Sequence, residues 1–399
     1  MYKYALILLF TLNAYGTSFN EALEMLSEHQ SVKSMLSLSK SSYAKGDGQN
    51  SWGDPVLKIA AKNLPEDSLK RDQSPMSGIE TSISQKIALT TKYSNMGDSI
   101  RAKAKAIEYS ALDVGRELKV SLWNIVILER KLKEEREILK ENFDWLNKII
   151  KVTKKLYVNG KVSGQALLEI QIRKSEVEMK LSKVDYDLLK LTKSLEYLLG
   201  EGNGGIDAQT IPWKILKTTS EDDFDYKALA LKEKLSAEKL ALSASRKNFI
   251  PDVTISVGHT KRANIDGKGD FVSGAISFSI PISSKKYAYK REQSSLHQSA
   301  LFEYRNYQDS KKRDSEQLEI EYKKIKKDLE ILNSKTINFA KDSRAITSKS
   351  YGLGNSSYVE LLQSELKLQE LLMLKSDLLS KRDSIKVQLK YKRGEKLSE

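Results

Sequence analysis

From Tyr93 to Leu156 the chain runs for about 60 residues without a proline, and one seam of that run is apolar along its length. Leu118, Leu122, Ile125, Leu132, Leu139, Phe143, Leu146 and Ile150 follow one another at steps of three, four or seven, which places them on one face of a helix. At about 1.5 Å of rise per residue such a helix is roughly 90 Å long, more than an ordinary globular domain can enclose. It must bury its seam against another long helix. The next segment supplies one: Val177, Leu181, Val184, Leu188, Leu191, Leu195 and Leu198 alternate at four and three residues, a heptad seam. Between the two lies Tyr157-Val-Asn-Gly160-Lys-Val-Ser163. Its glycine stands where a helix end needs a positive φ, and its serine stands where the next helix needs an N-cap. The pattern predicts a long antiparallel coiled-coil hairpin.

The plan is written twice. Tyr351-Gly-Leu-Gly354-Asn-Ser-Ser357 with Leu361-Leu362 repeats the first turn with its Leu167-Leu168, about 195 residues later. A second long helix, 285–349, carries Leu318, Tyr322, Ile325, Leu329, Leu332 and Phe339 on a heptad seam, and a last helix runs to about Lys392. Ahead of each hairpin stands a shorter helix. The first, Asn20–Lys45, opens on the capping box Ser18-Phe-Asn-Glu21 and is expected to end at the Gly46–Asn50 cluster; the second covers Phe224–Asn248.

Between the short and long helices of each half lie two alternating segments. Leu57, Ile59 and Ala61 share one face of Pro55–Leu64, and Ile79, Thr81, Ile83, Gln85 and Ile87 share one face of Ser77–Thr90. Val253, Ile255 and Val257 do the same in Pro251–Thr260, as do Ile276, Phe278, Ile280 and Ile282 in Asp270–Ser283. Each is about ten residues or slightly longer, the length of a tilted transmembrane strand, and each pair brackets a polar loop, Glu66–Met76 or Lys261–Gly269. Four strands cannot close a barrel, which takes about eight, and open edges cannot face lipid. Strands that enter a membrane must therefore share one barrel among several chains. Two chains give eight strands and three give twelve, and spacing does not choose. The soluble alternative is a small sandwich of two hairpins.

The expected fold class is mainly α with a small β part, arranged as 17–205, a linker over 206–219, and 220–399, with hairpins over 55–90 and 251–283 and turns at 157–163 and 351–357. Residues 1–16 read as a secretory signal: Lys3, an apolar Ala5–Leu12 core, and the small-x-small site Ala14-Tyr15-Gly16. The absence of cysteine excludes disulfides, thiolate metal sites and lipidation on a cysteine. The formal charge of +14 would suggest nucleic acid in a cytosolic protein. In an exported one, runs such as Lys323–Lys327 read as solvated helix faces, and no nucleic-acid partner is expected. Basic residues near the strands, Lys70, Arg71, Lys261, Arg262, Lys285 and Lys286, are candidates for meeting anionic lipid headgroups. His29, His259 and His297 are not at metal-ligand spacing, and no phosphate-binding glycine loop or nucleophile elbow appears. Neither an enzyme, a metal site nor a cofactor is expected.

Nearly all of the mature chain resembles the TolC-like outer membrane efflux protein family, in the same order and twice over. The carrying residues are Asp54-Pro55, Asn63-Leu64-Pro65, Tyr157-x-x-Gly160 and Leu167-Leu168. The second half adds Pro251-Asp252-Val253, Pro281-Ile282, Tyr351-x-x-Gly354 and Val359-Glu360-Leu361-Leu362. The Asp-Pro and Asn-Leu-Pro pieces look most like the heavy-metal-efflux branch. The resemblance implies a homotrimer with a twelve-stranded outer membrane barrel and a periplasmic tunnel of twelve helices. It would be the passive exit duct of a tripartite pump, for small molecules, metal ions or proteins delivered by an inner-membrane transporter and a periplasmic adaptor. By the motif match, Tyr157, Gly160, Ser163, Tyr351, Gly354 and Ser357 would sit at adaptor-contacting tips, where helix capping alone also explains them. Glu360 would take part in the pore gate as a ring of carboxylates, although Gln363 stands where the family has a second acid and Ser357-x-x-Glu360 is itself a capping box. The alternative is a soluble periplasmic coiled-coil structural or adaptor protein.

Overall fold

The structure, a computed structural model, describes residues 17–218 and 225–398. The expected secretory signal over 1–16 lies outside the described residues, as does the junction at 219–224. In chain order the elements are α1 (Phe19–Ser27), α2 (Gln30–Gln49), β1 (Val56–Lys62), β2 (Gly78–Ile87), α3 (Lys92–Val158) and α4 (Gly164–Leu199). They continue with α5 (Tyr226–Lys247), β3 (Val253–Arg262), β4 (Phe271–Phe278), α6 (Ser284–Ile331), α7 (Ile337–Gly352) and α8 (Tyr358–Arg393). The chain divides into two compact units, one from the described parts of 1–32, 112–225 and 310–399, the other from 33–111 and 226–309.

The second of these units holds the sheet, ordered β1-β2-β3-β4 and antiparallel throughout. The ends of α2 and α5 and the starts of α3 and α6 flank it in sequence. Ser99 on α3 donates its hydroxyl to Ala237 O on α5 at 2.8 Å, and Ser39 on α2 donates to Ala104 O at 2.8 Å. Asp252 fixes the passage from strand to helix by accepting from the Tyr93 hydroxyl at 2.8 Å and pairing with Lys92 at 2.8 Å and Lys86 at 3.0 Å.

The first helix differs from expectation. It is broken at Glu28-His29 into α1 and α2, and α2 continues through Gly46 and Gly48 to Gln49. Gly46 does not end a helix because it serves a crossing: a Cβ there would stand 3.0 Å from Gly97 O, and a Cβ on Gly97 would stand 2.8 Å from Gly46 O. Two bare backbones meet where any side chain would hold α2 and α3 apart.

In the other unit α3 has a different neighbour on each side. Toward α4 it buries Leu132, Leu139 and Leu146 with Val177 and Val184 of the heptad seam read from the sequence, and with Ile170 one heptad before it. Toward α8 it makes a polar ladder: Arg130 with Asp383 at 2.6 Å, Lys131 with Asp377 at 2.7 Å, and Ser376 Oγ donating to Glu134 at 2.9 Å. A further core gathers around Trp123, whose ring lies 4.7 Å from Phe19 and 5.8 Å from Trp213, and whose indole N–H donates to Leu397 O at 3.0 Å.

The seam expected through Leu332 and Phe339 is also corrected. A π-helical turn, Leu332–Thr336, joins α6 to α7 and inserts one residue into the helical phase. Ile337 and Ala340 therefore pack with Leu368 and Leu371 of α8, and Phe339 is rotated outward, 68% exposed.

The helix crossing gives a paired test. Gly97→Val should lower stability by about 1–3 kcal/mol through overpacking. Gly115→Ala, in mid-α3 where nothing lies within 4 Å of the new Cβ, should raise it by about 0.5–1 kcal/mol. Thermal unfolding of both variants followed by circular dichroism checks the signs; a neutral Gly97→Val would remove the close-approach explanation.

Candidate functional site: an inverted sheet and two matched turns

Register sorts the sheet into two faces, since residues paired across antiparallel strands share one. Leu57↔Ile83, Ala61↔Ile79, Ile83↔Val257, Ile87↔Val253 and Ile255↔Ile276 put the apolar side chains on one face. Lys62↔Gly78, Glu80↔Thr260, Ser84↔Ser256 and Thr254↔Ser277 put polar ones on the other. The apolar face is the open one, with Ile59 69% and Ile83 54% exposed, while Glu80, Thr260 and Arg262 are buried at 7% each. A sheet in a water-soluble core has the opposite arrangement. The polar side is tightly knit: Lys62 pairs with Glu80 at 2.5 Å, and Ser273 donates to Glu80 at 3.3 Å. Gly258 lies beneath them, where a Cβ would stand 3.0 Å from the Glu80 carboxylate.

Arg262, a candidate for lipid contact in the sequence, is corrected by this geometry. Its guanidinium lies on the polar side and donates to Pro75 O, Gly269 O and the Asp266 carboxylate, with the Phe271 ring 3.9 Å away. It ties the two strand-connecting loops together and is occupied by protein.

The two helical turns are built alike. Gly160 and Gly354 adopt φ of +70° and +80°. Lys161 N–H donates to Leu156 O and Gly160 N–H to Tyr157 O, both at 2.9 Å; Asn355 N–H donates to Ser350 O at 2.9 Å and Gly354 N–H to Tyr351 O at 3.0 Å. This is the double closure of a Schellman end. Three residues on, Ser163 accepts from Ala166 N–H and Ser357 from Glu360 N–H. Lys161 reaches to 3.6 Å of the Cβ position on Gly354, so the two turns are neighbours. Their tyrosines part company: Tyr157 is 50% exposed, whereas Tyr351 is 1% exposed and shares a 3.0 Å hydrogen bond between its hydroxyl and that of Thr153.

Glu360 is exposed and closes the capping box. Its carboxylate accepts from the Ser356 hydroxyl at 2.5 Å and from Ser357 N–H at 3.3 Å, and the Ser356 bond, then the backbone bond, hold it below the ordinary glutamate range. Gln363 is exposed one turn further on.

Deeper along α8 lies a network that sequence reasoning missed. Glu365, 3% exposed, accepts from Asn142 of α3 and from Arg344 of α7 at 3.3 Å, while Arg344 also reaches Glu141 at 3.3 Å. Burial pushes the Glu365 carboxyl above the ordinary glutamate value of 4.5; Arg344 and Asn142 pull the other way and Glu141 adds to the push. One carboxylate thus joins three helices. Among the described residues no group of three or more His, Cys, Asp or Glu side chains is placed to hold a metal ion.

No protein-family model and no curated protein sequence matches the chain. Solved structures do match, along nearly its whole length. The outer membrane protein VceC from Vibrio cholerae is 14% identical over 95% of this chain and 96% of its own, with a TM-score of 0.78. The Campylobacter jejuni CmeC outer membrane channel is 14% identical over 94% and 85%, with a TM-score of 0.75. The open state of the Neisseria gonorrhoeae MtrE outer membrane channel is 11% identical over 94% and 88%, with a TM-score of 0.70. The chain has the fold of the TolC-like outer membrane channels, long helices with a four-stranded β part.

Because the Glu365 pKa is raised on folding, its contribution to stability is fully present below pH 4.5 and is lost as pH rises through the folded-state value. Glu365→Gln removes that titration. Relative to wild type, the variant should gain stability as pH goes from 4 to 7, read from melting temperatures at each pH; a difference constant across that range would refute burial as the cause.

Proposed function

We propose that this chain is the outer membrane channel of a tripartite efflux or secretion system, a passive exit duct rather than an enzyme. The observation that carries the reading is the inverted sheet. An open apolar face, a polar face buried at Glu80, Gly258, Thr260 and Arg262 of β2 and β3, and strands of up to ten residues fit a barrel whose outside meets lipid and whose inside meets water. No helix among the described residues is long and apolar enough to cross a membrane. Since β1 and β4 are both free edges, the barrel is shared, and three copies contribute twelve strands to a homotrimer. Fold similarity to outer membrane channels supports the same reading.

In this arrangement the repeats 17–205 and 220–399, joined by 206–219, each give one strand pair and one helical hairpin. The hairpins extend into the periplasm, and their turns meet a periplasmic adaptor that links the duct to an inner-membrane transporter. Tyr157, Gly160, Ser163, Gly354 and Ser357 offer surface at the turns, with Tyr351 supporting them from beneath. Three copies of Glu360 form a carboxylate ring at the pore gate. Its cap bonds occupy one oxygen, leaving the other for cations. The soluble coiled-coil alternative would leave the apolar face of the sheet in water.

Mass measurement in detergent and single-channel recording in planar bilayers test the reading. A trimer with steady conductance is expected; a water-soluble monomer without conductance would sink it. A lipid-face charge sharpens the test. Ile83→Lys should disfavour the inserted assembly by about 2–4 kcal/mol near mid-membrane, whereas Ser82→Lys on the opposite face should insert normally and alter conductance.

A further inference from the structure

The two ends of the sheet differ in charge. At the loop end basic and acidic side chains match in number, with Lys62 on Glu80 and Arg262 on Asp266, although Lys70, Arg71, Lys261 and Lys268 engage no ion pair among the described residues. At the helix end they do not. There Asp252 is taken by Lys86 and Lys92, while Arg246, Lys285, Lys286 and Arg291 engage no ion pair among the described residues. The remaining acids at this rim are Asp54 and Glu292.

Arg246 stands in the last turn of α5, where the helix dipole favours a cation. The same reasoning fails for α6, whose first two turns carry Lys285, Lys286, Lys290 and Arg291 with no acid in the first turn. These cations oppose both the dipole and one another, so local structure does not account for them. Aromatic side chains are interleaved with them. Phe249 and Tyr287 meet edge to face at 5.0 Å, Lys290 lies 6.0 Å over the Phe249 ring, and Trp52 and Tyr287 are exposed. β4 ends at Phe278, short of the Ser283 expected from the sequence, and Ile280 and Ile282 follow it as exposed apolar side chains on the way to this rim.

We infer that this helix-end rim binds anionic phospholipid headgroups, with Lys285, Lys286, Lys290 and Arg291 facing the phosphates and Trp52, Phe249 and Tyr287 at the boundary of the acyl chains. Aromatic rings settle at membrane interfaces, and clustered Lys and Arg beside a membrane-embedded surface draw acidic lipid. The inference rests on the proposed insertion of the sheet, which supplies the bilayer beside the rim. It commits to lipid because the cations continue an apolar face, which a free anion would not need.

Trp52 is the reporter. The full chain is reconstituted in vesicles containing brominated phosphatidylglycerol or brominated phosphatidylcholine, and Trp52 emission is isolated by subtraction of a Trp52→Phe variant. Phosphatidylglycerol should quench at least threefold more effectively at equal mole fraction. The excess should vanish in the combined Lys285→Gln, Lys286→Gln, Lys290→Gln and Arg291→Gln variant and persist in Lys70→Gln with Arg71→Gln. In the wild type it should also shrink as salt is raised, a measurement that stands if the fourfold variant does not fold. Equal quenching by both lipids, or an excess abolished by inorganic phosphate at constant ionic strength, overturns the inference while leaving insertion intact. Quenching by neither lipid removes insertion itself, and with it the bilayer on which the rim depends.

Discussion

An open sheet with an apolar face sets the terms for everything else in this chain. Among the described residues the outer edges of β1 and β4 have no strand beside them, and backbone groups left unpaired cannot face hydrocarbon. In water the same sheet would hold Leu57, Ile59, Ile83 and Ile276 against solvent, the kind of surface that drives edge-to-edge association. Under the proposed insertion, hydrocarbon demands further strands on both sides. Because four antiparallel strands leave β1 and β4 running in opposite directions, the β4 of one copy and the β1 of the next continue the alternation without a break. A ring of copies then satisfies both edges at once, and an even strand number per chain is what permits it.

The helices solve a different problem, that of register. The α3–α4 seam of leucines and valines supplies burial, but a heptad repeat slipped by seven residues would bury nearly as much. The α3–α8 ladder does not tolerate such a slip. Asp383 and Glu365 are buried at 4% and 3%, and each is met by particular partners, Arg130 and Arg382 for one, Asn142 and Arg344 for the other. Buried pairs of this kind add little net stability, yet losing a partner is expensive. Displacement of α3 by one heptad would take Arg130 from Asp383 and Asn142 from Glu365, so the ladder specifies the alignment that the leucines stabilise.

Much of this is legible in the amino-acid sequence. The long helices, both turns with their glycines and serines, and all four strands with their apolar faces follow from periodicity and capping residues alone. Three features do not, each for a physical reason. Gly46 reads as a helix end because glycine disfavours helices, and only its contact with Gly97 reveals a crossing. Phe339 reads as core because a heptad count assumes an unbroken α-helix, and the π-turn at Leu332–Thr336 shifts the count by one. Glu365, Asp383 and Asn142 do not stand out in the sequence, which does not show which charged helix faces meet. The direction in which the sheet's apolar face points is equally hidden, since alternation marks two faces and not which one is covered.

Duplication has not made the two hairpins equivalent. The turns share their Schellman and serine-cap hydrogen bonds, with the Glu360 capping box added in the second, yet Tyr157 lies open and Tyr351 is sealed against Thr153. The second turn has α3 beside it, through Thr153, whereas the Tyr157 ring lies over Gly164 of its own turn. The helices above them differ in the same sense. α3 reaches its turn as one unbroken helix of 67 residues, but α7 is set off from α6 by the π-turn and is held to its neighbours by Arg344 through Glu365. The first hairpin presents the exposed ring, and near the turns the second is positioned against it by the Tyr351–Thr153 hydroxyl pair, the buried Glu365 and the packing of Leu361 in the shared apolar cluster. A partner reaching both turns would touch Tyr157 directly and would feel Tyr351 only through the packing of the second hairpin on the first.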